Sequence, residues 1–387
     1  MEILYKTKRR TLIYLVISNL LLVFGFRIWQ AMLNNFAVEE IGIGPASIGW
    51  LQAFRELPGL MGFLLGFLVL IFSEMKIMAL CIILMGAGIF LTGQAESVPY
   101  LFASALVMSF GFHFFYSSNS SVILMEVEKK DAPKVMGQFS SLGAVSALIA
   151  TGVVYFFAES QGYRNIFMGV GALIAVGGVG LLLWGDGSDG LPPRRKIVLR
   201  KQYWLYYLLS FLMGCRRHIF TTFAIFLLVK EYGISVQTTA VLFLVNSVVN
   251  VYALQMVGKL VGRWGERLML SVAFGVLGFI FFGYAYVTYL PVLFVLFVLD
   301  NILFGFNLAL STYFQKIAVT PEEITSNVAV QQTINHIAAV VVPVLGGIAW
   351  EMGGSRIPFL AGVGIVVLSL VLTQFMRLPT DPNAVVA

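Results

Sequence analysis

Apolar residues do not alternate with polar ones along this chain; they come in long blocks, most of about twenty residues or more, separated by short polar breaks. Roughly 20 helical residues cross a hydrocarbon core of about 30 Å, so blocks of this length predict membrane-spanning helices, not strands or soluble core helices. The blocks predict spans at 11–37, 46–72, 77–93, 98–124, 135–157, 165–184, 203–229, 237–257, 268–288, 290–315, 325–349 and 357–376. The first follows Lys6, Lys8, Arg9 and Arg10 as in a signal peptide, but it runs on with no small-x-small cleavage site and is read as a retained helix.

The polar breaks carry the next layer of information. Loops on one side of the predicted layout hold most of the Lys and Arg, from Lys6, Lys8, Arg9 and Arg10 to Lys129, Lys130, Arg194, Arg195 and Lys196; the other side holds Arg164, Lys230 and Arg356. The positive-inside rule then places both termini in the cytoplasm of an integral membrane protein, with a bacterial inner (plasma) membrane as the expected site. The longest break, Gly185-Asp186-Gly187-Ser188-Asp189-Gly190-Leu191-Pro192-Pro193, is built of turn residues. It predicts a six-helix bundle at 1–184, a cytoplasmic linker at 185–202 and a second six-helix bundle at 203–387.

Sliding one half over the other aligns Gly25-Phe26-Arg27 with Gly214-Cys215-Arg216, Gly111-Phe112-His113 with Gly305-Phe306-Asn307, and Arg164-x-x-Phe167 with Arg356-x-x-Phe359. Three matches in order argue for a duplicated unit of parallel topology.

Composition narrows the function. With 387 residues, 59% hydrophobic and 11% charged, the chain has less than half the roughly 25% charge of a soluble domain, which excludes a soluble enzyme. The net charge of +6 would suit nucleic acid, but the basic residues sit in short loops between spans, so nucleic-acid binding is set aside. Cys81 and Cys215 fall in apolar runs, so no disulfide framework, metal site or cofactor is expected. The chain has no Gly-x-x-x-x-Gly-Lys-Ser/Thr segment to bind a nucleotide. No nucleophile with a base partner stands out, and an enzyme is not expected.

The segment Gly258-Lys259-Leu260-Val261-Gly262-Arg263-Trp264-Gly265-Glu266-Arg267 resembles the cytoplasmic loop motif of the major facilitator superfamily, Gly-x-Leu-x-Asp-Arg-x-Gly-x-Arg. Gly262 stands where that pattern has an acid, and the equivalent loop of the first half, Ser73-Glu74-Met75-Lys76, lacks the motif. Gly162-Tyr163-Arg164-x-x-Phe167 and Pro343-x-x-Gly346-Gly347 are also similar to family patterns. The resemblance implies an all-α membrane protein with 12 transmembrane helices in two pseudo-symmetric bundles. It further implies a monomeric secondary active transporter of a small solute, with spans 1, 4, 7 and 10 lining a cavity, 2, 5, 8 and 11 flanking it, and 3, 6, 9 and 12 facing lipid.

Ionised residues inside the predicted spans are Arg27, Arg55, Glu56, Arg216, Arg217 and Asp300, and the three histidines are His113, His218 and His336. None lies in spans 3, 6, 9 or 12. A charge at the bilayer centre costs about 2.5–3.5 kcal/mol or more, so these groups should border protein or water. His113, Tyr116, Ser117 and Ser120 share one helical face, and Asp300, Asn307 and Ser311 share another. Gln52 on span 2, Asn246 with Asn250 on span 8, and Gln331, Gln332, Asn335 and His336 on span 11 add polar patches.

Guanidinium forks match carboxylate and phosphate oxygens, which points to an anionic or zwitterionic solute. The substrate-binding candidates are Arg27, Arg55, Arg216, Arg217, His113, Tyr116, Asn307, Gln331 and Asn335, and the proton-coupling candidates are Glu56, Asp300 and His336. Gly258, Arg263, Gly265 and Arg267 form the conformational motif. Arg55, Glu56 and Asp300 suit a structural ion network as well. Arg216 and Arg217 are about 100° apart on a helix, so one of them faces a cavity and the other packs. Two other functions fit the pattern: a proton-linked exporter of amphipathic drugs, and a non-transporting receptor on the same fold.

Overall fold

The computed structural model describes residues 9–126, 132–184 and 199–377. Lys6, Lys8, Lys129, Lys130 and residues 185–198 of the expected linker lie outside them. The described chain is helical, without a strand: α1 (Arg9–Glu39), α2 (Pro45–Leu60), α3 (Leu65–Leu68), α4 (Glu74–Gly93), α5 (Val98–Glu126), α6 (Ala132–Trp184), α7 (Trp204–Lys230), α8 (Val236–Trp264), α9 (Glu266–Tyr286), α10 (Leu290–Leu303), α11 (Asn307–Ile317), α12 (Pro321–Gly353) and α13 (Arg356–Thr373).

Among the described residues, ten segments are long and apolar enough to cross a membrane. The longest, Gly137–Trp184, has 48 residues, about 72 Å at 1.5 Å per residue and more than twice the thickness of the hydrocarbon. It is broken at Gly162, whose φ of 76° and ψ of 158° belong to a region open essentially to glycine alone. That break falls between the spans expected at 135–157 and 165–184.

Three expected spans have different outlines. The span at 46–72 is not one helix: α2 ends at Leu60, a 3-10 turn covers Met61–Leu64, and α3 is a single turn. Pro58 removes a backbone donor inside α2, and Gly59, Gly62 and Gly66 weaken the helix beyond it. The span at 290–315 is divided by a 3-10 turn at Phe304–Phe306. Span 8 runs further than expected, to Trp264, so most of the loop motif is helical.

The chain forms two compact units. The first comprises Met1–Ile43, Phe54–Pro193 and Ile234–Phe243; the second comprises Gly44–Ala53, Arg194–Gly233 and Leu244–Ala387. In the first, α4 packs on α5 and α6, and α1 packs on α6 and α4. Asn35 fixes the Ile234–Phe243 segment there, donating to Ile234 O at 2.8 Å and accepting from Thr239 Oγ1 at 3.1 Å. In the second, α7 packs on α12 and α13, and α9 on α13, α10 and α11. The Gly44–Ala53 segment is held by a 3.0 Å bond from Ala46 N to Glu351 Oε1, and Gly49 lies against the Pro343 carbonyl.

Candidate functional site

In the first unit, one polar cluster joins α1, α2 and α5. Arg55 and Glu56 are sequence neighbours whose side chains pair at 3.1 Å, 18% and 10% exposed. His113 Nε2 lies 3.9 Å from the other Glu56 oxygen. Ser109 of α5 donates to the Arg55 carbonyl, and the Arg55 guanidinium lies 6.0 Å from the Trp29 ring. Trp29 is itself fixed, donating to Thr92 Oγ1 at 3.1 Å. Arg55, Glu56 and His113 are thus one part-buried network.

Arg27 differs from Arg55. Its guanidinium is exposed and donates to the neutral Gln30 amide at 3.1 Å. Tyr116, 45% exposed, interacts with it electrostatically. An aromatic ladder runs beside this charge: Phe26 stacks on Phe112 at 4.1 Å, and Phe112 meets Tyr116 edge-on at 4.9 Å. On the same face of α5, Ser117 and Ser120 bond back to their own helix, at His113 O and Tyr116 O.

The second unit answers which of the adjacent arginines points inward. Arg216 is 1% exposed and pairs with the fully buried Asp300 at 3.3 Å; Arg217 is exposed. Both stand over the Phe304 ring, at 4.6 and 5.6 Å. Arg216, expected among the substrate-binding residues, therefore has its charge met by Asp300 inside the protein, and Arg217 is the arginine at the surface. The 3-10 turn between Asp300 and Asn307 advances about 120° per residue instead of 100°, a rotation of about 60° that leaves the two residues about 40° apart. Asp300 is fully buried, and Asn307 and Ser311 are half-buried.

On α12, Gln331, Asn335 and His336 are half-buried. Gln331 accepts from Tyr206 OH at 3.1 Å, and Asn335 lies beside Gly214. Gln331 belongs to a ladder that hydropathy alone missed. Tyr203 donates to Glu323 at 2.5 Å and Tyr207 to Asn327 at 2.5 Å, so acceptors four residues apart on α12 meet tyrosines at the start of α7. Arg200 caps the ladder with a bidentate grip on Glu323 at 2.6–3.0 Å. Arg200 holds the Glu323 carboxyl below the usual glutamate range, a Tyr203 hydrogen bond adding to the effect against the cost of burial. The readable signal was the spacing Glu323, Asn327, Gln331, each a turn apart on one helical face.

Of the conformational motif, Gly258 and Arg263 lie on the last turns of α8, and Gly265, at φ 79°, makes the turn into α9. Arg267 donates to Gln374 at 3.2 Å. The buried acid of this segment is Glu266, at a position the motif pattern leaves unspecified, and it binds Lys316 of α11 at 2.6 Å. The Arg164 and Arg356 segments each set an arginine and a phenylalanine against aromatic rings, of α1 in the first case and of α9 in the second. Arg164 stands over Phe36 and Arg356 over Tyr286, while Phe167 packs on Phe36 and Phe359 on Tyr284. Among the described residues, no group of three or more His, Cys, Asp or Glu could hold a metal ion.

The family model described as Major Facilitator Superfamily matches residues 15–338. The chain belongs to the major facilitator superfamily. Similar solved structures of this superfamily member include the nucleoside transporter NupG, with TM-score 0.73 and 17% identity over 94% of this chain and 98% of that one. Another is a bacterial homologue of the human lysosomal transporter Spinster in an inward-facing, occupied conformation, with TM-score 0.75 and 16% identity over 94% and 95%. At such identities the likeness is one of fold. No curated protein matches the sequence. An all-α integral membrane protein of a transporter superfamily is thereby established.

Proposed function

We propose that this protein is a secondary active transporter moving a small anionic or zwitterionic solute by alternating access, coupled to protons or driven by exchange. It would have twelve spans and both termini in the cytoplasm of a bacterial inner membrane, and act as a monomer. The observation that carries this reading is the exposed Arg27 guanidinium, hydrogen-bonded to a neutral amide at a depth where an ion is costly. Arg55 is matched by Glu56 and Arg216 by Asp300. Arg27 and Arg217 are exposed, and each is a candidate contact for a solute anion.

The hydrogen-bonding candidates in this reading are Tyr116 and His113 in the first unit and Asn307, Gln331 and Asn335 in the second. Glu56, Asp300 and His336 are the proton carriers in this scheme. A carboxylate held by an arginine gains a proton more readily once that arginine turns to the solute. The Phe26, Phe112 and Tyr116 ladder favours the second reading, export of amphipathic drugs, but an exposed arginine beside it repels lipophilic cations.

The test is a thermal-shift screen of organic anions and lipophilic cations on wild type, Arg27→Ala and Arg217→Ala. Anions should stabilise the wild type, and each variant should weaken the response about 10- to 100-fold in affinity, as a lost charged hydrogen bond of about 1.5–3 kcal/mol implies. Variants that keep the wild-type response would remove the arginines as the clamp. Stabilisation by lipophilic cations alone would favour the exporter.

A further inference from the structure

In the first unit, a positive charge without a carboxylate and an open aromatic ring stand together where α1 meets α5. Arg27 NH1 donates to the neutral Gln30 Oε1 at 3.1 Å, and among the described residues no carboxylate pairs with the guanidinium. Gln30 lies one turn along α1 and occupies one nitrogen of the group. The Nε and NH2 edge keeps the fork geometry that a carboxylate fills. Tyr116 of α5 and Arg27 act on each other electrostatically.

Helical spacing orders the rings beside this charge. Phe112 and Tyr116 are four residues apart on one face of α5 and meet edge-on at 4.9 Å. Phe26, next to Arg27 on α1, stacks on Phe112 at 4.1 Å with the planes 24° apart. Phe26 and Phe112 therefore spend a face on each other and hold α1 against α5. Tyr116 meets Phe112 and Phe115 edge-on, and among the described residues no ring lies flat on it. With 45% of its surface exposed, it leaves room for a further ring.

Exposure alone would also suit a surface turned to lipid. Arg27 and Tyr116 are both exposed, yet protein crowds each closely enough for desolvation to be the largest influence on its charge. Groups crowded by protein and still accessible line a recess. A guanidinium turned to acyl chains with no counter-charge would be costly.

Charge and shape then select the ligand. Arg27 repels a lipophilic cation. A dianion calls for a second available cation, and the other arginine of this polar cluster, Arg55, is matched by Glu56. A monoanion remains, and a flat ring attached to it can extend from the guanidinium onto Tyr116. We propose that the recess lined by α1 and α5 takes an aromatic carboxylate, with its carboxylate on the Nε and NH2 edge of Arg27 and its ring stacked on Tyr116. Phe112 and Phe26 hold that platform in place. This deepens the proposed function by naming the solute class, and it rests on Arg27 as the anion clamp.

The experiment is calorimetric titration of the full-length protein in lipid nanodiscs with benzoate, naphthoate and cyclohexanecarboxylate, empty nanodiscs serving as the blank for partitioning. Cyclohexanecarboxylate has the charge and carbon count of benzoate without a flat π-face. Wild type should prefer benzoate to cyclohexanecarboxylate by about 2- to 10-fold, the gain of an aromatic pair beyond its buried area, and naphthoate should bind more tightly still. Tyr116→Leu should bring that ratio close to one, and Tyr116→Phe, which keeps the ring, should keep the preference. Arg27→Ala should weaken all three ligands about 10-fold or more. If Tyr116→Leu does not fold, the wild-type ratio decides alone. Equal wild-type affinities for benzoate and cyclohexanecarboxylate, both weakened in Arg27→Ala, would overturn the aromatic site and leave the arginine clamp standing. A preference that survives Tyr116→Leu would do the same, as would no binding of the three beside a response to other organic anions. No binding of any anion, or binding untouched by Arg27→Ala, would overturn both.

Discussion

Arg216 and Asp300 face each other at 3.3 Å with almost no exposure, and each is tolerated only because the other is there. Removing one leaves an uncompensated buried charge, a loss of about 3–5 kcal/mol, whereas replacing both with apolar residues is often close to neutral. Arg216→Met should therefore lower the thermal unfolding midpoint sharply, and Arg216→Met/Asp300→Leu should recover most of it. Equal losses in the single and double variants would mean that the pair is not coupled.

Glu323 gives the residue scale its pH dependence. Its folded-state pKa is lowered, chiefly by the Arg200 hydrogen bonds, so its contribution is fully present above the ordinary glutamate range and is lost as pH falls through the lowered value. Glu323→Gln should lower the unfolding midpoint near neutral pH, modestly because Arg200 is exposed, and should flatten the acid limb of the unfolding curve. An unchanged acid limb would contradict the pairing. At this scale the sequence showed which residues are charged at depth, but not their partners. Arg216 and Arg217 are adjacent and chemically identical; only a carboxylate 84 residues away separates their roles. Arg200 and Glu323 are 123 residues apart and lie in what hydropathy reads as loops.

At the scale of elements, helix contact in the first unit depends on small residues. Gly86 of α4 faces the backbone of α6, where a Cβ would stand 2.5 Å from Ala175 N and 2.8 Å from Gly171 O. Lipid offers no hydrophobic drive between helices, so such close approach is a main source of their association. Gly86→Val should force α4 and α6 apart and destabilise by about 1–3 kcal/mol or more, seen as a lower unfolding midpoint. Gly180→Ala, at a position with open space around it, should change little and is the control.

The elements themselves were legible because roughly twenty apolar residues in a row have few alternatives in a membrane. Their interruptions were not. Hydropathy averages over the 3-10 turns at Met61–Leu64 and Phe304–Phe306, because those turns are as apolar as the helices they interrupt. The second of them shifts Asn307 by about 60° relative to Asp300, which a uniform helical period could not show. Gly162 was legible as a boundary, since its surroundings are polar.

For the whole molecule, the pairing of charges decides which groups are left to act on a solute. With Arg55 matched to Glu56 and Arg216 to Asp300, a proton-coupled cycle predicts a separation of effects. Glu56→Gln or Asp300→Asn should abolish accumulation driven by a pH gradient while leaving some solute exchange, read by counterflow in proteoliposomes. Gradient dependence unchanged in both would remove them as carriers. The superfamily was legible from the repeat and the loop motif, whereas the cargo was not, since guanidinium chemistry specifies a charge and not a molecule.

The most direct single measurement is the uptake of labelled organic anions and lipophilic cations into proteoliposomes holding the reconstituted protein, under an imposed pH gradient or with internal solute for exchange. Anion uptake that disappears in Arg27→Ala is the predicted result. Uptake of lipophilic cations alone, or anion uptake undiminished in Arg27→Ala, would contradict it.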